Sequence, residues 1–193
     1  MGKLVYTANT SLDGFIEDSD GKFIWFAPDQ EVSAFINDRE RAKGTYLLGR
    51  RMYEIMVYWE TEGTGPDATA EERDFAEMWR AAEKIVYSRT LQKASWPRTR
   101  VESHFDADTV RKLKQGSKSD LSIAGADLTG QAMNAGLVDE IELYLSPILV
   151  GGGKPALPVN SLTRLVLVSQ RRFESGIVHL HYQVKSGDPV QSN

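Results

Sequence analysis

Two segments of this chain carry the residue types best able to grip a phosphate. Tyr46-Leu47-Leu48-Gly49-Arg50-Arg51 and Lys84-Ile85-Val86-Tyr87-Ser88-Arg89 each pass from apolar residues to a Gly or Ser set directly before an arginine. A third run, Leu121-Ser122-Ile123-Ala124-Gly125-Ala126-Asp127, ends in small residues ahead of a helix-like stretch. Apolar runs bounded in this way predict strands buried on both faces. In an open α/β sheet, ligands bind outside the carboxyl ends of such strands. The N–H groups at a helix start favour a phosphate there, and the arginine fork matches phosphate oxygens. Ser88 and Arg89 offer a hydroxyl and a guanidinium to a ribose 2′-phosphate, which would select NADPH over NADH. Solvated arginines beside a tight turn at Gly49 would explain one strand end, but two ends favour a ligand site. The natural candidate is a dinucleotide.

Other groups are weaker pointers. Gly125-Ala126-Asp127-Leu128-Thr129-Gly130 enters a helix without the Gly-x-Gly-x-x-Gly fingerprint, so either a pyrophosphate or tight strand–helix packing explains its small residues. Gly151-Gly152-Gly153 lacks the Lys-Ser/Thr of a P-loop and predicts a flexible crossing. His104, His179 and His181 lack metal-ligand spacing, and no metal is expected. His179 and His181 share one face of a strand, which predicts surface or interface positions. Trp25, Phe26 and Trp59, with Asp13, could wall a substrate slot, although aromatics usually belong to the core. Asp29 and Glu31 are the acids nearest that wall and the candidates for proton donor. Asp29 follows Pro28 and is equally a helix N-cap, so the expectation is a cap, with solvent supplying the proton.

The elements that must position these groups follow from patterning. A strand over Leu4–Ala8 continues through the turn-prone Asp13-Gly14 to Ile16, and Val32, Phe35 and Ile36 recur at helical spacing. Thr69 and Glu72 form a capping box for a helix carrying Phe75, Met78 and Trp79. Strands near 84–88, 101 and 120–124 alternate with helices from Asp106 and from about Leu128, the latter closing at Gly136. Then come three strand-like runs, at 141–145, 165–168 and 177–182, with no helix pattern between them. Together these predict βαβ units, a terminal antiparallel ribbon and helices on both faces of a mixed, mostly parallel sheet. The 193 residues suit one domain over 1–185, with a disordered tail at 186–193. A net charge of −4 argues against nucleic acid or an anionic membrane as partner. No apolar run approaches a membrane span, and no signal-peptide pattern opens the chain. The absence of cysteine excludes a disulfide framework and a thiolate nucleophile, and fits the cytoplasm.

In this order the segments resemble the dihydrofolate reductase superfamily, and within it the reductase domain of the bifunctional riboflavin-biosynthesis deaminase–reductase. The resemblance rests on Ser11-Leu12-Asp13-Gly14-Phe15-Ile16, Leu47-Leu48-Gly49-Arg50-Arg51-Met52-Tyr53-Glu54, Tyr87-Ser88-Arg89 and the Gly125 loop. Its most specific part is Gly136-Leu137-Val138-Asp139-Glu140-Ile141 leading to Pro147-Ile148-Leu149-Val150-Gly151-Gly152-Gly153. The resemblance implies a three-layer α/β/α domain, bound NADPH, hydride transfer to a pyrimidine- or pterin-like substrate, and a homodimer. It implies that Gly49, Arg50, Arg51, Ser88 and Arg89 hold the adenosine phosphates. Gly125, Ala126, Asp127, Leu128 and Thr129 would lie along the pyrophosphate, with Ala8 beside the nicotinamide. Gly-Ala replaces the usual Gly-Gly at the third strand end. Trp25-Phe26-Ala27-Pro28 is followed by Asp29 and Gln30, so the pterin-binding acid of dihydrofolate reductases is displaced or missing. A riboflavin-type reductase must also grip the ribose phosphate of its substrate, and no residues are marked for that. Dihydrofolate reduction, or nucleotide binding without turnover as in a sensor, are the alternatives.

Overall fold

A computed structural model describes residues 1–61, 63, 65–157 and 162–185; the expected tail at 186–193 lies outside them. The apolar runs become β1 (Leu4–Ser11), β3 (Lys43–Gly49), β4 (Glu83–Tyr87), β5 (Thr99–Glu102), β6 (Asp120–Ala124), β7 (Glu140–Ser146), β9 (Leu165–Arg172) and β10 (Val178–Val184). They form one sheet in the order β5-β4-β3-β6-β1-β7-β10-β9. The strands from β5 to β7 pair in parallel, and β10 runs antiparallel to both β7 and β9. Parallel strands require crossovers, which the helices supply.

Adjacent strand residues point to opposite faces, so each strand feeds two cores. Leu4, Tyr6, Leu47, Ile85, Leu121 and Ile123 pack on one face against Val110 of α4 (Ala107–Gly116) and Leu128 and Ala132 of α5 (Ala126–Asn134). On the other face, Tyr46, Leu48 and Val86 meet Tyr53 of α2 (Arg50–Met56) and Trp79 of α3 (Ala70–Ala81). Val32 of α1 (Gln30–Glu40) continues that layer over Tyr144 and Phe173. Each fully buried large apolar side chain contributes about 1.5–3 kcal/mol. The predicted caps form: Asp29 accepts the Val32 N–H at 2.9 Å, and Thr69 and Glu72 close a capping box. Asp106, where a helix was expected to begin, also caps α4 by accepting the Thr109 N–H at 2.7 Å.

Three expectations are corrected. The first strand does not run on to Ile16. Gly14, at φ +87°, turns the chain out of the main sheet, and β2 (Phe15–Glu17) pairs instead with β8 (Lys154–Pro155). The triple glycine is anchored rather than free. The Asp13 carboxylate accepts the N–H groups of Val150 (3.2 Å) and Gly151 (2.8 Å), and a Cβ on Gly153 would overlap the Glu17 carbonyl. His179 and His181 are buried rather than exposed, because α1 covers the face that they share. They meet the acids of β7, with His181 Nε2 at 3.0 Å from Glu140 Oε2 and His179 Nε2 at 3.6 Å from Glu142 Oε2. Arg39 reaches down from α1 to Glu142 at 2.6 Å. Buried charge is tolerated there because it is paired.

Candidate functional site

A cavity of about 1080 Å³ opens over the carboxyl ends of β1, β3 and β6, with α1, α2 and the start of α3 around it. Ala8, Leu48, Ala124 and Gly125 line it below, and Trp25, Phe26 and Trp59 line its sides. Asp29 is present as well, but its carboxylate is taken by the α1 cap. The expected wall residue Asp13 instead staples the glycine loop, and Glu31 pairs with Arg171 at 2.7 Å on the protein exterior. Neither lines the cavity.

The sequence pattern did not mark the polar side of α1. Ser33, Asn37 and Glu40 all line the cavity, and their spacing stacks them on one helical face. The apolar residues Val32, Phe35 and Ile36 masked this stripe; a polar 4-3 spacing on a helix that must cover a sheet was the available signal. Glu40 is buried, with its Oε1 accepting from Lys43 Nζ at 2.5 Å and its Oε2 from the Tyr46 hydroxyl at 2.9 Å. Lys43 Nζ also donates to Thr7 Oγ1 at 2.9 Å, so the network is closed on itself. Burial, and then the Glu40 charge, raise the Tyr46 hydroxyl well above its ordinary pKa. Asn37 Nδ2 donates to the Glu71 carbonyl at 2.9 Å and to Asp74 at 2.8 Å, tying α1 to α3.

A second cavity, of about 410 Å³, lies at the neighbouring strand ends. It brings together Gly49, Ser88, Arg89, Asp127 and Leu128, and adds Ser103, His104, Phe105 and Gln131. The last four carried no periodic signal. Ser103, His104 and Phe105 arrive because β5 lies parallel beside β4, where the Ser88 N–H donates to the Glu102 carbonyl at 2.8 Å, and Gln131 comes from α5. Ser88 Oγ accepts the N–H groups of Thr90 and Leu91. Arg89 is exposed and has no carboxylate partner among the described residues. Arg50 is held by Glu54 (2.7 Å) and Thr90 (2.8 Å), and Arg51 by Glu17 (2.8 Å) and the Gly21 carbonyl (3.1 Å). Ala126 and Thr129 have buried side chains.

Two glycines lie where the cavities approach each other. Gly125 caps α5 at φ +98°, a conformation that L side chains rarely adopt, and no side chain caps the helix there. Gly49, before α2, has an ordinary φ of −71°, and a Cβ on it would meet nothing within 4 Å. The protein's own packing therefore does not require glycine at 49, whereas close approach by a ligand backbone would.

The family model of the RibD C-terminal domain matches residues 2–179. The chain belongs to the RibD C-terminal domain family. Its sequence is similar to the uncharacterized protein YyaP of Bacillus subtilis (strain 168), with 29% identity over 184 residues, 93% of this chain and 94% of that one. Among solved structures, the RibD-type fold is shared with a putative riboflavin biosynthesis protein from Shewanella sp. PV-4. The TM-score is 0.73 at 20% identity, covering 95% of this chain and 99% of that one. It is also similar to dihydrofolate reductase from Enterococcus faecalis complexed with NADP(H), at a TM-score of 0.63 and 14% identity, covering 96% and 98%. The mixed, mostly parallel sheet between helical layers is thus dihydrofolate-reductase-like. Among the described residues, no helix is long and apolar enough to cross a membrane.

Proposed function

We propose that this RibD-type chain is an NADPH-dependent reductase that delivers hydride to a pyrimidine- or pterin-like ring. The observation that carries this reading is the pair of cavities at adjoining strand ends, bordered by Gly49 and Gly125 and differing in chemistry. The smaller offers Arg89, Ser103 and His104 to an adenosine phosphate; the larger offers an aromatic slot beside Ala8. The residues present fit the cofactor. Among the described residues Arg89 has no partner for its guanidinium, α5 begins without a side-chain cap, and Gly49 leaves room above its backbone. NADPH supplies the hydride when bound. The chain supplies position, since Trp25, Phe26 and Trp59 can hold a planar ring and exclude water, and Ser33 and Asn37 can orient its polar edge. With Asp29 committed to the α1 cap, proton delivery falls to solvent.

If Arg89 grips the 2′-phosphate, NADPH should bind at least tenfold more tightly than NADH, because a charge-assisted hydrogen bond is worth about 1.5–3 kcal/mol. Arg89→Ala should lose most of that preference while melting normally. Equal affinities of the parent protein for the two cofactors in calorimetry would rule out the assignment. The same reading includes a homodimer built on β9, whose Leu165, Val166, Leu167 and Val168 are all exposed.

A further inference from the structure

We infer that the substrate of the larger cavity carries no phosphate and is an unphosphorylated heteroaromatic compound, neutral or cationic. This rests on the reductase reading above and narrows its substrate. Among the described residues that line the cavity there is no lysine, arginine or histidine. Five are acids: Glu17, Asp29, Glu40, Glu71 and Glu72. The remaining residues, at 62, 64, 158–161 and 186–193, add no cation, because none is Lys, Arg or His.

Cations that adjoin the lining are engaged elsewhere: the exposed Lys22 pairs with Asp20 and Arg73 donates to the Ala68 carbonyl. Lys43 lies behind the cavity wall, its side chain 2% exposed and its ammonium held by Glu40 and Thr7. Arg51 stands at the rim, with its guanidinium on Glu17 at 2.8 Å and on the Gly21 carbonyl. Moving either toward a ligand would strand a carboxylate that is now paired, and for Glu40 that carboxylate is buried.

A phosphate monoester carries close to two negative charges at neutral pH. Taking it from water to a wall of Trp25, Phe26, Trp59 and Phe75 calls for cations or an uncapped helix start. The cavity has no cation among the described residues, and the starts of α1 and α3 that line it are already capped by Asp29 and by Thr69 with Glu72. With Glu40 and Glu17 paired to Lys43 and Arg51, the lining acids without a cation partner, Asp29, Glu71 and Glu72, oppose the same anion. A planar ring with N–H groups meets the reverse situation, with aromatic faces to stack on and oxygen acceptors at its edge. The phosphates of NADPH escape this restriction, because Arg89 and the start of α5 stand at the smaller cavity.

The test uses the whole protein saturated with NADP⁺ and pairs of ligands that differ by one group: a ribosylated pyrimidine or pterin and its 5′-phosphate. Quenching of tryptophan fluorescence, to which Trp25 and Trp59 contribute, reads binding. The unphosphorylated member should bind about 100-fold or more tightly than its phosphate, and kcat/KM with NADPH should follow the same order. A phosphate that binds as well as its parent, or neither member binding at millimolar concentration, overturns the inference. Calorimetry with NADPH alone separates the two readings, since a protein that fails to bind it loses the reductase reading instead. Ser33→Lys, which sets an ammonium on the cavity wall, should narrow the gap about tenfold. Gln30→Lys at the same cavity serves if that variant does not fold, and an unchanged gap in a folded variant counts against the inference.

Discussion

Glu142 shows how closely the buried charges of this protein depend on one another. Burial opposes its ionisation, but His179, Lys43 and Arg39 around it overcome that penalty and push the carboxyl from 4.5 down to about 2. The 3.6 Å gap to His179 is long for a hydrogen bond, so the Arg39 contact at 2.6 Å and the Lys43 charge carry most of the effect. A carboxyl whose pKa falls on folding stabilises the native state wherever it is ionised in both states. That contribution is complete above about pH 4.5 and is lost as the pH drops toward 2, amounting to on the order of 3 kcal/mol. Denaturant melts across that window should show this loss, and Glu142→Gln should flatten it. A variant with the same acid slope as its parent would assign the loss to other carboxyls. Asp29 teaches the complementary lesson, since an acid beside a cavity can be engaged through Oδ1 as the cap of a helix.

Among the elements, the starts of α2 and α5 separate a glycine that the backbone requires from one with open space around it. Gly125→Ala forces an L residue to φ +98°, although its Cβ would meet only Met52 at 3.9 Å. The cost is conformational, about 1–3 kcal/mol, and the melting temperature should fall accordingly. Gly49→Ala keeps an allowed backbone and empty surroundings, so the weaker N-cap is largely offset by the stiffer unfolded chain and stability should change by about 1 kcal/mol or less. On the proposed reading NADPH affinity should nevertheless drop, because the new methyl would stand on the path proposed for the cofactor. Thermal melts paired with calorimetry on both variants check the contrast; a Gly49→Ala protein with full NADPH affinity would move the cofactor path away from α2. α1 makes a related point, because its inward face is partly polar and so serves the cavity as well as the core.

At the scale of the whole molecule, β9 is the element left unfinished. All eight of its residues are exposed, with Leu167 and Val168 at 50% and 54%, and among the described residues only β10 pairs with it. A strand open on an edge and apolar toward solvent is a template for a second copy. Light scattering at micromolar protein should therefore give twice the chain mass, and Leu167→Asp should shift the population toward monomer. A parent protein that stays monomeric at every concentration would exclude this interface.

Much of the fold was legible because it rests on local rules. Apolar runs broken by small residues, the caps at Asp29, Asp106 and Thr69, and the αL glycine at Gly136 each specify an element through its own neighbours. The gathering of Gly49, Ser88 and Arg89 around one cavity was legible for the same reason, since strand ends in a parallel sheet gather at one edge. Tertiary structure decided what depends on distant partners. Gly14 turned β2 away to meet β8, α1 buried His179 and His181 against Glu140 and Glu142, and β5 carried Ser103 and His104 to the second cavity. The charge of the larger cavity was likewise settled only by the fold. The chain has 23 lysines and arginines, and only packing determines that Lys43 faces Glu40 and Arg51 faces Glu17 rather than a ligand.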